Sequence, residues 1–421
     1  MKTESPWFWI PTLYFVEGLP YFIVNTISVV IFKDLGMPNG TLALLTSLIG
    51  LPWVLKPLWS PFVDIFRSKR WWILTMQVLM ALSVALTAVF VPRAVPDGSV
   101  GVFVPALIFF IVTAFASATH DISADGFYMI ALDNKRQSAF VGIRNTFYRI
   151  AMVFGQGVIV VLAGLLQKRF GSVPKAWTVT LLATSGLLAI LVLLHSFTLP
   201  SPEGGRDRGD RSVSLILKEF ADTFVSFFTK PGILGAVLFM LLYRLPEAFS
   251  VKMLYPFFSD PVPAGGLGLD KEAFGLVYGT FGVVALLAGG ILGGVNIARR
   301  GLSRCLLPMA LALALPCGVY LYMSLAQPSS LWLIGACVVA DQFGYGYGFT
   351  AYTVGMMRFA DGPLKTSHYA LCTGFMALSM MLPGLVAGYL QQWLGYRGFF
   401  IMVMICCIPT VCVALSARRR F

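Results

Sequence analysis

Between short charged breaks this chain runs apolar for about 20 residues at a time, and it does so repeatedly. Roughly 20 residues of helix are needed to cross about 30 Å of hydrocarbon. In lipid the backbone must satisfy its own hydrogen bonds, so runs of this length read as helices and not as strands. Composition agrees, with 57% hydrophobic and only 12% charged residues, where a soluble domain carries about 25% charge. Spanning helices are expected at roughly 7–33, 41–63, 71–92, 102–131, 139–166, 177–199, 231–257, 272–296, 303–326, 329–357, 366–391 and 397–417. The expected fold class is an all-α integral membrane protein of twelve transmembrane helices.

The basic residues orient these helices. With the N-terminus placed in the cytoplasm, the inner loops and termini hold 19 Lys and Arg, concentrated at 67–70, 135–136, 206–230, 299–304 and 418–420. The outer loops hold 7: Lys33, Arg93, Lys168, Arg169, Lys175, Lys271 and Arg397. The positive-inside rule therefore puts both termini in the cytoplasm of a multi-pass inner-membrane protein. The net charge of +12 is spread over loops and forms no single patch, which argues against a nucleic-acid partner. The first apolar run, from Trp7, shows no small-residue cleavage pattern and outlasts a signal-peptide core. The 7 cysteines fall in or beside apolar runs of the second half and show no metal-ligand spacing, so they read as small buried hydrophobes.

The longest polar stretch, from Pro200 to Glu219, reads as a solvated linker leading into an amphipathic helix near 213–229. The expected organisation is a six-helix half over 1–199, a cytoplasmic linker over 200–230 and a second six-helix half over 231–421. Secondary transporters are often built from such repeats, with the substrate site near mid-membrane.

Ten ionisable residues fall inside the spans. Glu17, Asp121, Asp125, Glu247 and Asp341 are acidic; Lys56, Arg144, Arg149, Arg244 and Lys252 are basic. Each costs a few kcal/mol at bilayer depth, so each is expected to face a partner or a wet cavity. Mutual pairing is one reading. The other assigns proton exchange to Asp121, Asp125, Glu17, Glu247 and Asp341, with His120 joining a relay, and anion binding to Lys56, Arg144, Arg149 and Arg244. Asp121 and Asp125 are four apart on one helix face, where two carboxylates repel, and Arg244 and Glu247 are three apart and can meet. Trp53, Tyr148 and Tyr345 are candidate stacking partners for a substrate. The overlapping GxxxG spacings of Gly289, Gly290, Gly293 and Gly294 read as close helix packing. Gly346-Tyr-Gly-Phe-Thr-Ala351 follows no strand, so it reads as a flexible point in helix 10 and not as a nucleotide loop. No Walker A, H-E-x-x-H or G-x-S-x-G pattern is present.

Four strings carry a family resemblance. They are Leu51-Pro-Trp-Val-Leu-Lys-Pro-Leu-Trp-Ser-Pro-Phe-Val-Asp64, Ser117-Ala-Thr-His-Asp-Ile-Ser-Ala-Asp-Gly126, Glu17-Gly-Leu-Pro20 and Leu242-Tyr-Arg-Leu-Pro-Glu-Ala248. Together they resemble the AmpG-type muropeptide permeases of the major facilitator superfamily; the related acetyl-coenzyme A transporters share the second- and fourth-helix strings. The resemblance implies two six-helix halves, alternating access and proton-driven import. It implies as cargo the N-acetylglucosamine–anhydro-N-acetylmuramic acid peptides of wall turnover. It also implies a gating loop between helices 2 and 3. There Asp64 and Lys69 fit the superfamily pattern, while both glycines and its first basic residue are missing.

The expected function is thus a proton-coupled permease for muropeptides or a similar organic anion, in peptidoglycan recycling. Its expected partners are a small anionic sugar-peptide, protons and membrane lipid, with no nucleic acid, no cofactor, no metal and no enzymatic activity, and a monomeric state. An acyl-coenzyme A or a metallophore complex is the alternative cargo, and a membrane-embedded enzyme or receptor the remote alternative.

Overall fold

A computed structural model describes residues 5–91, 100–132, 134–201, 213–362 and 364–418. Among the described residues every regular element is a helix. Ten helical stretches are long and apolar enough to cross a membrane. The last of them, His368–Arg418, holds two spans, divided where Gly395 takes φ 66° and ψ 172°. With Leu331–Ala360, the described residues hold the twelve spans the hydropathy requires.

The twelve spans are numbered in chain order. In the first six, α1 comprises Ile10–Phe22, a wide π-helical turn Ile23–Ile27 and Ser28–Asp34. Helix α2 is Asn39–Leu48 and Leu51–Ile65, α3 is Lys69–Phe90 and α4 is Val104–Ala131. Helix α5 runs over 134–170 with a π-helical turn at Phe154–Ile159, and α6 is Val173–Thr198. A further helix, Val213–Phe228, precedes the seventh span.

In the second six, α7 is Ile233–Leu242 and Leu245–Ser259. Helix α8 runs over 271–300 with a π-helical stretch at Gly275–Gly282. Helix α9 runs over 302–326 and α10 is Leu331–Ala360. Helices α11 and α12 occupy 365–394 and 396–418.

Local chemistry sets several ends. Ser68, Ser172 and Asp270 accept a backbone N–H three residues on, capping α3, α6 and α8. Gly171 closes α5 with φ 62°, a conformation that favours glycine.

The chain forms two compact units. One contains 1–36 and 55–221, the other 37–54 and 222–421. In the first, Trp9, Leu13, Tyr14, Phe127 and Tyr128 belong to a buried core joining α1 and α4. A polar network ties four of its helices: His195 Nδ1 lies 2.9 Å from Gln77 Oε1, His195 Nε2 lies 2.9 Å from Thr12 Oγ1, and Gln77 Nε2 lies 3.0 Å from His120 Nε2. With Gln77 oriented this way and both imidazoles neutral, His195 Nδ1 donates to Gln77 Oε1 and Gln77 Nε2 donates to His120 Nε2.

In the second unit, Gly289 and Gly346 let α8 and α10 meet backbone to backbone. A Cβ on Gly346 would lie 2.0 Å from Leu286 O, and one on Gly289 would lie 2.1 Å from Phe343 O. The segment 37–54 packs the same way on α11: a Cβ on Gly388 would lie 1.9 Å from Asn39 O. Asn39 Nδ2 donates to Gln391 Oε1 at 2.7 Å, and Tyr396 OH donates to Asp260 Oδ2 at 2.6 Å. Large apolar side chains such as Trp332, Trp393 and Phe197 stand outside both cores, 87%, 80% and 79% exposed, as lipid-facing residues do.

Candidate functional site

The first unit gathers its intramembrane charges on α1, α2, α4 and α5. Asp121 and Asp125 lie one turn apart on α4, yet each has its own cation. Lys56 Nζ from α2 is 3.5 Å from Asp121 Oδ2, and Arg144 Nη2 from α5 is 2.8 Å from Asp125 Oδ1. Like-charge repulsion on one helix face is thereby split between two neighbouring helices. Arg144 also lies over the Tyr14 ring at 4.6 Å and the Tyr128 ring at 5.5 Å, so its planar cation rests against two aromatics that meet edge to face.

Glu17, one turn after Tyr14, stands within electrostatic range of both ion pairs. It is only 7% exposed, and its Oε2 has no hydrogen-bond partner among the described residues. Beside it, Tyr148 packs edge-on to Phe22 at 5.8 Å, where α5 passes close enough that a Cβ on Gly18 would lie 2.9 Å from Tyr148 O. Arg149, half-buried, has no ion pair or hydrogen bond among the described residues.

The second unit builds a different cluster. Helix α7 breaks at Tyr243 and Arg244. From the break Arg244 donates through Nε and Nη2 to the two oxygens of Glu247, both at 2.8 Å, and through Nη2 to Tyr345 OH at 3.0 Å. Phe349, Tyr345 and Tyr352 of α10 flank the guanidinium at 4.7, 5.5 and 5.8 Å. One turn before Tyr345, the buried Asp341 accepts from Tyr320 OH at 2.7 Å and Gln342 Nε2 at 2.9 Å, and makes no ion pair among the described residues. Lys252 donates to Thr46 O at 3.1 Å.

Twelve membrane spans, with charges concentrated on a few of them, describe a polytopic membrane protein, and sequence comparison decides which kind. The profile of the Major Facilitator Superfamily matches residues 12–363. The chain belongs to that superfamily. An anhydromuropeptide permease of Escherichia coli (strain K12) is 25% identical over 420 residues, covering 97% of this chain and 78% of that protein. A putative transporter AmpG 4 of Rickettsia conorii is 23% identical, covering 96% of this chain and 94% of that protein. The nucleoside transporter NupG shares the fold at TM-score 0.72 and 16% identity, covering 98% of both chains. A D-xylose-proton symporter does so at 0.72 and 12%, covering 97% of this chain and 95% of its own.

Within this superfamily fold the sequence-predicted residues separate into distinct environments. Glu17, Lys56, Asp121, Asp125, Arg144, Tyr148 and Arg149 lie in the first unit. Arg244, Glu247, Asp341 and Tyr345 lie in the second, as does Trp53, which is buried in the 37–54 segment. His120 adjoins Asp121 in sequence, but its Nε2 is bonded to Gln77 in the four-helix network. Lys69 is buried against Gly126, with Nζ 3.4 Å from Val63 O; the Asp64 side chain lies outside the described residues, as does much of the linker, 202–212. Gly346 and Gly348 are packing positions in a continuous α10, which corrects the reading of a flexible point.

Sequence reasoning missed Tyr14, Tyr320, Gln342, Phe349, Gln77 and His195. Tyr14 was findable, because it lies three residues before Glu17 on one helix face. The others meet their partners only through tertiary packing.

Proposed function

We propose that this chain is a proton-coupled importer of anhydromuropeptides, working by alternating access in a bacterial inner membrane, as a monomer with both termini cytoplasmic. Its two six-helix halves are joined by the linker between α6 and α7. The names of its relatives support the cargo. The observation that carries the mechanism is the pattern of pairing in the first unit. Among the described residues, Lys56 and Arg144 have carboxylates beside them, Arg149 has none, and Glu17 has no cation in direct contact.

An uncompensated guanidinium at bilayer depth is stabilised by an arriving carboxylate, and its planar fork suits that group. A buried acid with an unbonded oxygen is stabilised by a proton. In this reading Arg149 takes an anionic group of the peptide stem, Tyr148 lies against the sugar, and Glu17 carries the proton. The Lys56–Asp121 and Arg144–Asp125 pairs hold the site open between them.

Uptake of labelled anhydromuropeptide into vesicles, with and without an imposed pH gradient, tests this. Gradient-dependent uptake that Arg149→Gln weakens is the expected result. Uptake indifferent to the gradient removes proton coupling, and no uptake removes the cargo.

A further inference from the structure

The Arg244–Glu247 pair differs from Lys56–Asp121 and Arg144–Asp125, the other intramembrane ion pairs seen among the described residues. Lys56–Asp121 and Arg144–Asp125 each join two helices. Arg244 and Glu247 are three residues apart on α7, so their pairing joins none. Burying a pair costs desolvation of both charges and is weak evidence of a stabilising role. Here the helix is also interrupted, with Arg244 at φ −106° and ψ 15° and Pro246 in the following first turn. The cation is presented by a break in the backbone.

A guanidinium has five N–H donors. Glu247 and Tyr345 take those on Nε and Nη2. Both Nη1 hydrogens are left without a partner among the described residues. Three aromatic rings and the Tyr345 hydroxyl hold the group in place whether or not Glu247 is charged.

We propose that Arg244 is a second anion-binding residue, for a carboxylate of the cargo, and that Glu247 masks its charge until Glu247 takes up a proton. The proton moves onto a Glu247 oxygen, the pair loses its attraction, and the guanidinium becomes a net cation facing its two open donors. Proton and carboxylate then favour each other's binding, and the coupling is reciprocal. The titratable groups around Glu247 are Arg244 on α7, Tyr278 on α8, Cys317 on α9, and Asp341, Tyr345 and Tyr352 on α10. Between 369 and 394, α11 carries no charged residue or histidine. The nearby charged groups are thus one exchangeable carboxylate in contact with Arg244 and a second carboxylate bonded to neutral donors. This proposal rests on the transport of an organic anion argued above.

The test is the pH dependence of anhydromuropeptide binding to the full chain in nanodiscs. If one proton enters with the anion at this pair, affinity falls about tenfold per pH unit as Glu247 loses its proton. Glu247→Gln is expected to remove that one unit of slope and to bind at high pH as tightly as wild type does at low pH. Arg244→Gln/Glu247→Gln, which removes both charges and leaves no unpaired ion, is expected to bind at least tenfold more weakly than Glu247→Gln. A Glu247→Gln protein with the wild-type slope overturns the proposal, and so does a double variant that binds as tightly as Glu247→Gln. If wild type binds no anhydromuropeptide at any pH, the cargo assignment fails and succinate becomes the probe. Thermal stabilisation by succinate at pH 8 of Glu247→Gln, but not of wild type or the double variant, then upholds the pair's role, and equal responses overturn it.

Discussion

Gly346→Ala should loosen the second unit by forcing α8 and α10 apart. A Cβ at that position would sit 2.0 Å from Leu286 O, 2.8 Å from Leu286 C and 3.0 Å from Gly290 N. Real Cβ contacts essentially stop at 3.0 Å, so the helices must separate by about 1 Å. All three neighbours are backbone atoms, and no side chain can rotate aside. Overpacking of this kind costs about 1–3 kcal/mol. Replacing glycine by alanine inside a helix returns up to about 1 kcal/mol of propensity. With the full propensity return the net expectation is a loss of up to about 2 kcal/mol. Gly294→Ala supplies the control on the facing helix, because nothing lies within 4 Å of its Cβ, and it should melt at or above the wild-type temperature. The assay is thermal melting in detergent, followed by size exclusion, with the three proteins prepared side by side. If Gly346→Ala melts no lower than Gly294→Ala, the backbone contact between α8 and α10 does not exist as described.

Three other outcomes are expected. Glu17→Gln should abolish accumulation of labelled anhydromuropeptide against a gradient while leaving exchange between preloaded vesicles and the medium, measured by counterflow. Gln77→Leu should cost about 1–3 kcal/mol in thermal melts, because it leaves the His195 Nδ1 donor and the His120 Nε2 acceptor buried and unpaired. Tyr320→Phe removes one of two donors to Asp341 and should lower stability by about 1 kcal/mol, while Gln342→Leu in the same background should cost more than the sum of the two single changes.

The spans were legible because their signal is one-dimensional. A run of apolar residues must be as long as the hydrocarbon is thick, and the chain has few other ways to satisfy its backbone. The contact between Arg244 and Glu247 was legible from their spacing, because residues three apart stay within reach of each other even though α7 breaks at Arg244. Asp121 and Asp125 show where this stops. Their spacing places them on one face, but that Lys56 takes one and Arg144 the other depends on how α2 and α5 pack around α4. His120 is a sharper case. Its neighbour in sequence is an acid, yet a step of one residue turns a side chain by about 100° around the helix, and that turn carries the imidazole to α3 and α6. The glycine spacing in α8 announced close packing, and only the structure supplied the partners, Phe343, Gly346 and Tyr347 of α10. Nothing in the sequence marks the point near Leu55 where α2 passes from one compact unit to the other.

The π-helical turns in α1, α5 and α8 give these helices a tolerance that the others lack. Each turn is wider than an α turn by about one residue. Deleting a residue within Gly275–Gly282 lets the backbone relax into ordinary α-helix, and the register of α8 beyond it is kept. The same deletion among residues 284–287 would swing Gly289 and Gly293 by about 100° away from the α10 backbone they now touch. Single-residue deletions in this chain should therefore be accepted at three places inside the membrane, at 23–27, 154–159 and 275–282, and rejected a turn away. A scan of single-codon deletions through α8 would trace the spare residue directly.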